Sequence, residues 1–242
     1  MRDPISGREY FYWDKGSRSG EVVLKLFNGY QGALQTDGYE RYELLDGKKG
    51  IILLSCWAHA RRKFSDAIKN DRERAESALE QIQLLYEVER QIKDQALCFE
   101  EAAKLRVRLA YPIMVRFEKW LVAEHAKVIK GSPIEKAILY TYNRFNKLSR
   151  YHLDGRYNID NNGIENAARP VAVGRKNYLF CQNDTAESTA IIYSFMGCCK
   201  AAKVIFRTWM IYFLDHVLDY DQDYTRDIAE LLPDNLKDAG VL

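Results

Sequence analysis

Between Asn158 and Phe180 the chain reads NIDNNGIENAARPVAVGRKNYLF, which brings a carboxylate, a block of side-chain amides and three cations into little more than twenty residues. Asp160, Asn161 and Asn162 stand where a helix should begin, and Glu165 falls in its first turn. Arg169-Pro170 should close that helix, and Gly174-Arg175-Lys176-Asn177 should follow as a basic turn. A carboxylate beside phosphate-seeking groups suits a site that holds a metal ion against nucleic acid. The same residues also have a purely structural reading. With Asn162 as N-cap, Glu165 is the N3 member of a capping box and its charge suits the helix dipole. Arg169, four residues later, then completes an ordinary surface pair.

Asp37-Gly38 is the second place where chemistry and structure compete. It marks the exit of a short buried strand, Gly32 to Thr36, and by itself reads as a simple Asp-Gly turn. Cys56 and His59 have the spacing of half a zinc site, but no second Cys/His pair of similar spacing exists, so structural zinc is not expected.

The elements that must position these groups follow from periodicity and turn chemistry. Glu9 to Asp14 reads as an aromatic strand, and Ser19 as the cap of a helix reaching about Asn28, where Gly29 stops it. Gly50 to Trp57 is almost continuously apolar, as in a strand covered on both faces, and a helix follows from about Ala58. From Asp66 to Leu148 the chain turns to long charged helices. Leu79, Ile82, Leu85 or Tyr86, and Ile92 form one apolar stripe; Leu105, Leu109, Phe117, Trp120 and Leu121 form a second, interrupted near Pro112. A third helix starts with Ser132 as cap, Pro133 at N1 and Glu135 at N3. Ala186 to Lys200 reads as a further helix, and Ile205, Trp209, Phe213 and Val217 recur every four residues in another. A short helical piece precedes Pro233 in the acidic tail.

The chain has 242 residues with 47% hydrophobic content, enough for a substantial core. Its formal net charge of +2, from 36 basic and 34 acidic residues, does not announce a nucleic-acid binder. Local charge says more: Tyr142 to Phe180 holds seven Arg or Lys (Arg144, Lys147, Arg150, Arg156, Arg169, Arg175, Lys176) against three acids. The five cysteines, Cys56, Cys98, Cys181, Cys198 and Cys199, are an odd set without framework spacing and suit reduced thiols in the cytoplasm. No apolar stretch approaches the roughly 18 residues needed to span a bilayer, so no membrane partner is expected.

Three words occur in order: LQTDGYERY (Leu34 to Tyr42), CWAHARRKF (Cys56 to Phe64) and IDNNGIENAARPVAVGRKNYLF (Ile159 to Phe180). Together they closely resemble the transposases of the insertion sequence 66 family, and the resemblance runs through most of the chain. It implies a DDE enzyme whose ribonuclease-H-like domain holds two Asp and one Glu around divalent metal. By position Asp37 matches the second Asp and Glu165 the Glu, making both candidate catalytic residues and metal ligands. The first Asp, in an Asp-Glu-Thr word on the first strand, has no match; Asp3 and Asp14 precede Asp37 but stand in no such word. On that reading the chain begins inside the catalytic domain, N-terminally truncated, with Met1 as an internal start.

The expected fold is therefore mixed α/β, a partial ribonuclease-H-like sheet with a large all-helical insertion and a helical C-terminal region. Residues 1–64 would be the N-terminal part of the catalytic core, 65–150 the insertion, 151–200 the core helices with Glu165 and the basic turn, and 201–242 the tail. The resemblance places His59 near the active site, contacting phosphate or positioning a metal-bound water; a helix-start histidine is the structural alternative. Arg61, Arg62, Lys63, Arg169, Arg175, Lys176 and Asn177 are the candidate DNA contacts, against the alternative of solvated helix charge. Asn161 and Asn162 read first as caps of the Glu165 helix, and Tyr39 and Tyr178 as packing residues with a base-stacking alternative. Mg²⁺ or Mn²⁺ in a two-metal site is expected only of the complete enzyme. DNA at the element's ends and target is the expected partner, with a homo-oligomer and accessory proteins of the same element also compatible. Two functions stand side by side: a transposase that cleaves and joins DNA strands, and a catalytically dead remnant that at most binds DNA.

Overall fold

In the computed structural model, which describes residues 1–17, 19–177, 184–222 and 225–242, the chain divides into two units. One is Arg18–Asn162; the other combines Met1–Ser17 with Gly163–Leu242.

The first unit opens with α1 (Gly20–Leu26), ended by Gly29 at φ 74°, a left-handed conformation that glycine adopts without strain. Strand β1 (Gly32–Thr36) then pairs in parallel with β2 (Ile51–Ser55), in a register that sets Thr36 opposite Ser55. Their crossover carries a 3₁₀ turn, Glu40–Leu45, whose Leu45 is buried with Val23 and Phe27 of the α1 segment. β1 has the bounds expected from sequence. β2 is shorter than expected, because the chain turns helical at Trp57.

Helix α2 (Trp57–Ala67) runs into the main core. It packs Trp57, Ala60 and Phe64 with Ala75, Ala78, Ile82, Leu85 and Val88 of α3 (Arg72–Asp94). The next helices are α4 (Phe99–Leu105) and α5 (Tyr111–His125), joined by a π-helical turn at Arg106–Ala110. That turn absorbs Pro112: the Tyr111 N–H bonds back to the Arg106 carbonyl, so the helix widens for one turn where an interruption was expected. Buried Arg106 grips both oxygens of Glu89 at 2.9 and 2.7 Å and donates to the carbonyls of Tyr151 and Asp154. Helix α6 (Pro133–Asn143) begins as its sequence implies, with Ser132 Oγ accepting from the Glu135 N–H at 3.2 Å. A short α7 (Phe145–Ser149) and a 3₁₀ turn at Arg150–Leu153 lead back to the sheet, where the Trp57 N–H bonds to the Ile159 carbonyl. The charged helices and the strand end therefore share one core, which contains Leu54, Trp57, Phe117, Ile138, Leu148, Tyr151 and Ile159.

The second unit holds α8 (Asn162–Asn177), α9 (Asp184–Ala202), α10 (Phe206–Gln222), a 3₁₀ turn at Ile228–Leu231 and α11 (Pro233–Asp238). Trp209 is its centre, buried beside Cys199, Leu231 and Leu236 and donating Nε1–H to the Leu231 carbonyl at 2.8 Å. Glu9 to Asp14 is not the strand expected from sequence. Residue Glu9 makes only an isolated bridge to Arg2, because the backbone donors of this segment are met elsewhere: the Phe11 N–H by Ser194 Oγ at 2.8 Å and the Glu9 N–H by Cys198 Sγ at 3.4 Å. Nor does Pro170 close α8. A proline inside a helix removes one bond, to the carbonyl four residues back, and the good helix formers Ala167, Ala168 and Ala172 carry the helix past it. Gly174 to Asn177 are accordingly the last turn of α8, not a separate basic turn.

Among the described residues no single helix is long and apolar enough to cross a membrane; Thr185–Ala202 and Phe206–Tyr220 pass that test only as a pair bent by 116°.

Candidate functional site

In a parallel sheet the strands end on the same side, and groups leaving those ends share one edge, where α/β proteins bind their ligands. Because Thr36 pairs with Ser55, Asp37 and Cys56 leave β1 and β2 side by side. Asp37 is exposed, and its Oδ1 accepts from the Tyr39 N–H at 2.9 Å, the local bond of an Asx turn. The turn expected of Asp37-Gly38 is present and still presents the carboxylate to solvent. Gly38 takes φ 85°.

The Asp37 turn is held from α6. Tyr140 Oη donates to the Asp37 carbonyl at 3.3 Å, and Arg144 Nη2 donates to the Gly38 carbonyl at 3.1 Å. The Arg144 guanidinium lies over the Tyr140 ring, 4.2 Å from its centroid, and Lys63 Nζ lies 5.5 Å from the same centroid. The sequence reading missed Tyr140 and Arg144; their spacing of four puts them on one side of a helix end, but nothing in the chain says what they face.

Beside Asp37, buried Cys56 accepts from the Asn161 N–H at 3.4 Å, and burial pushes its thiol up, so it stays protonated at neutral pH. His59 is half-buried in the first turn of α2. Arg61, Arg62 and Lys63 are exposed along that helix. Asn161 is itself buried.

At the start of α8 the acceptor is Asp160, not Asn162. Asp160 Oδ1 takes the Asn162 N–H at 3.0 Å, and Oδ2 takes Asn162 Nδ2 and Tyr86 Oη, each at 2.9 Å. Burial, then the neighbouring Asp160 charge, pushes the Tyr86 hydroxyl well above the ordinary tyrosine range, which keeps it a donor. Tyr86→Phe should therefore cost about 1–2 kcal/mol of stability, read as a lower urea midpoint with an unchanged slope.

Glu165 and Arg169 are exposed on α8 in the second unit. The side chains of Arg175, Lys176 and Asn177, and the whole of Tyr178 and Cys181, lie outside the described residues. The cations counted between Tyr142 and Phe180 do not act as one group. Lys147 pairs with Glu43 and with Asp46 at 3.1 Å, Arg150 donates to the Leu53 carbonyl, Arg156 pairs with Asp154 at 2.6 Å, and Arg144 holds Gly38. Four of the seven cations are engaged in this way, whereas Arg169 is exposed. Tyr39, 40% exposed, packs edge-on to Tyr42 at 6.3 Å.

Among the described residues no three or more His, Cys, Asp or Glu side chains stand together so as to hold a metal ion. The first unit offers Asp37 as an open carboxylate, not a preformed metal cage.

A family model described as Transposase IS66 family matches residues 3–189. The uncharacterized protein y4hP of Sinorhizobium fredii is 31% identical over 247 residues, covering 95% of this chain and 44% of its own length. From the same organism, y4jD is 29% identical and y4qI 30% identical, covering 91% and 95% of this chain and again 44% of each relative. The chain thus spans somewhat less than half the length of these curated relatives. No solved structure matches.

Proposed function

Because the chain belongs to the IS66 family of transposases, we propose that it serves DNA transposition, with Asp37 and Glu165 as its reacting carboxylates on a ribonuclease-H-like core. The observation that carries this is the position of Asp37: an exposed carboxylate leaving the C-terminal end of a parallel strand, on a glycine turn held by two side chains from the end of α6. Divalent metal use is general in this family, and a bound Mg²⁺ or Mn²⁺ would supply Lewis-acid chemistry at the scissile phosphate. The chain's own residues do the rest. Arg61, Arg62 and Lys63, exposed on α2, are offered to the DNA backbone, Lys63 from beside the Tyr140 ring whose hydroxyl bonds the Asp37 carbonyl, and the family resemblance gives Arg169, Arg175, Lys176 and Asn177 of α8 the same role. Such contacts fix position along the duplex without reading its sequence. His59, in the first turn of α2 and on the same side as Lys63, orients the phosphate or its attacking water. The site of action is the cytoplasm.

Two measurements test this. Binding of the full chain to duplex DNA should weaken with salt, and replacing Arg61, Arg62 and Lys63 together by Ala should reduce the slope of log K against log salt by about one unit per phosphate contact removed. Arg175→Ala with Lys176→Ala should do the same on α8. Unchanged slopes would remove these residues from the interface. Nicking of supercoiled plasmid by the full chain, dependent on Mg²⁺ or Mn²⁺, tests the chemistry.

A second reading has its own observation. The first Asp of the family's carboxylate set has no match in this sequence, and without it the chain would bind DNA without cutting it. Salt-dependent binding with no metal-dependent nicking is the result that selects this reading.

A further inference from the structure

We infer that Tyr140 and Arg144 are positioning residues for Asp37, so that the helical segment sets the aim of the reacting carboxylate; the inference rests on the role proposed for Asp37. Three features converge on the turn. The Tyr140 hydroxyl and the Arg144 guanidinium each take a backbone carbonyl, those of Asp37 and Gly38, at 3.3 and 3.1 Å. The guanidinium is itself fixed by stacking on the Tyr140 ring at 4.2 Å, and stacked cations of this kind are held in both plane and direction. Gly38 completes the fit: a Cβ there would stand 2.9 Å from both Arg144 Nε and Tyr140 Oη, and its φ of 85° is strained for any other residue. The turn, the ring and the guanidinium thus lock one another, and among the described residues the hydrogen bond of the Asp37 side chain is a local one, from the Tyr39 N–H. Lys63 shares the Tyr140 ring at 5.5 Å, so the DNA-facing edge of α2 and the carboxylate turn meet on one aromatic side chain.

The test is hydrogen exchange of the Gly38 and Tyr39 amides in the full chain, with DNA affinity and plasmid nicking measured on the same variants. Arg144→Ala should speed exchange of the Tyr39 amide about tenfold, the loss of one charged hydrogen bond expressed as a population of opened turn. Tyr140→Phe should speed it less, because the ring and its stacking remain. Arg144→Lys, which keeps the charge without the planar fork, should restore little. Nicking should fall in step with exchange while DNA affinity holds, which a merely structural loss would not produce.

Unchanged Tyr39 exchange in Arg144→Ala and Tyr140→Phe would overturn the inference. So would a fall in DNA affinity with no change in exchange, which would make Arg144 a phosphate contact. Faster exchange with undiminished nicking would instead remove Asp37 from the chemistry, sinking the proposed function while the lock on the turn stands. If the parent chain does not nick DNA, exchange alone decides the lock.

Discussion

Asp37→Asn in the full chain is expected to lower metal-dependent strand cleavage by more than about a hundredfold, beyond the effect typical of residues that only support a metal ligand, while leaving the thermal midpoint within a degree or two. The substitution isolates charge from shape. Asp37 is exposed, and its one described side-chain bond, Oδ1 to the Tyr39 N–H at 2.9 Å, is one that the Asn carbonyl oxygen makes equally well. The Tyr140 and Arg144 contacts are to backbone carbonyls and are untouched by the change. What disappears is the negative charge that a hard divalent ion or a developing phosphate charge distribution answers to. Glu165→Gln makes the parallel test on α8, where the side chain is exposed in the first turn. Full cleavage by either variant would remove that residue from the site. Asp37→Ala is the poorer experiment, since it also deletes the turn bond.

The second large effect concerns the core beneath that site. Trp57 is fully buried, packs against Phe117 and Phe145 with centroids 6.0 and 6.1 Å away, and donates Nε1–H to the Leu148 carbonyl at 2.9 Å. Its own backbone N–H takes the Ile159 carbonyl. Trp57→Ala should cost about 3–5 kcal/mol, from lost transfer free energy and the cavity left by an indole, with the stranded Leu148 carbonyl adding to it. Trp57→Phe keeps much of the ring volume and should lose substantially less. Chemical denaturation followed by far-ultraviolet circular dichroism separates the two variants. A loss below about 1 kcal/mol for Trp57→Ala would contradict the packing described.

Several elements were legible in the chain because their signals are local. β1 lies between two glycine turns, and Ser132-Pro133-Ile134-Glu135 states its own helix start through a cap whose partner is three residues away. The Asp37-Gly38 turn and the helix start at Asp160 to Asn162 were legible from local residue types, while their candidate chemical role came from the words of a family. The misreadings share one cause. Glu9 to Asp14 has strand composition, yet its donors are taken by Ser194 and Cys198, nearly two hundred residues on, which periodicity cannot anticipate. Pro170 and Pro112 carry breaker signals that their surroundings override, in one case through a π-helical turn. The basic window was counted correctly, but counting could not show that Lys147 and Arg150 answer to a carboxylate and a carbonyl of the fold and that exposed Arg156 pairs with Asp154. Arg144 entered the sequence reading only as one cation of that window, and Tyr140 carried no signal. Their meaning comes from a turn about a hundred residues earlier in the chain.

The long-range closures also bear on how this chain is made. Trp57 leaves the ribosome 91 residues before the carbonyl that satisfies its indole, so the first unit has no complete core until Leu148, Tyr151 and Ile159 have emerged. At synthesis rates of about 5–20 residues per second, the indole waits several seconds in a nascent chain that already displays the apolar faces of α2 to α6. The second unit waits longer still, since the Phe11 N–H finds Ser194 only across a separation of 183 residues. The order in which these partners emerge therefore sets how long the apolar faces of α2 to α6 stand uncovered before the core can close.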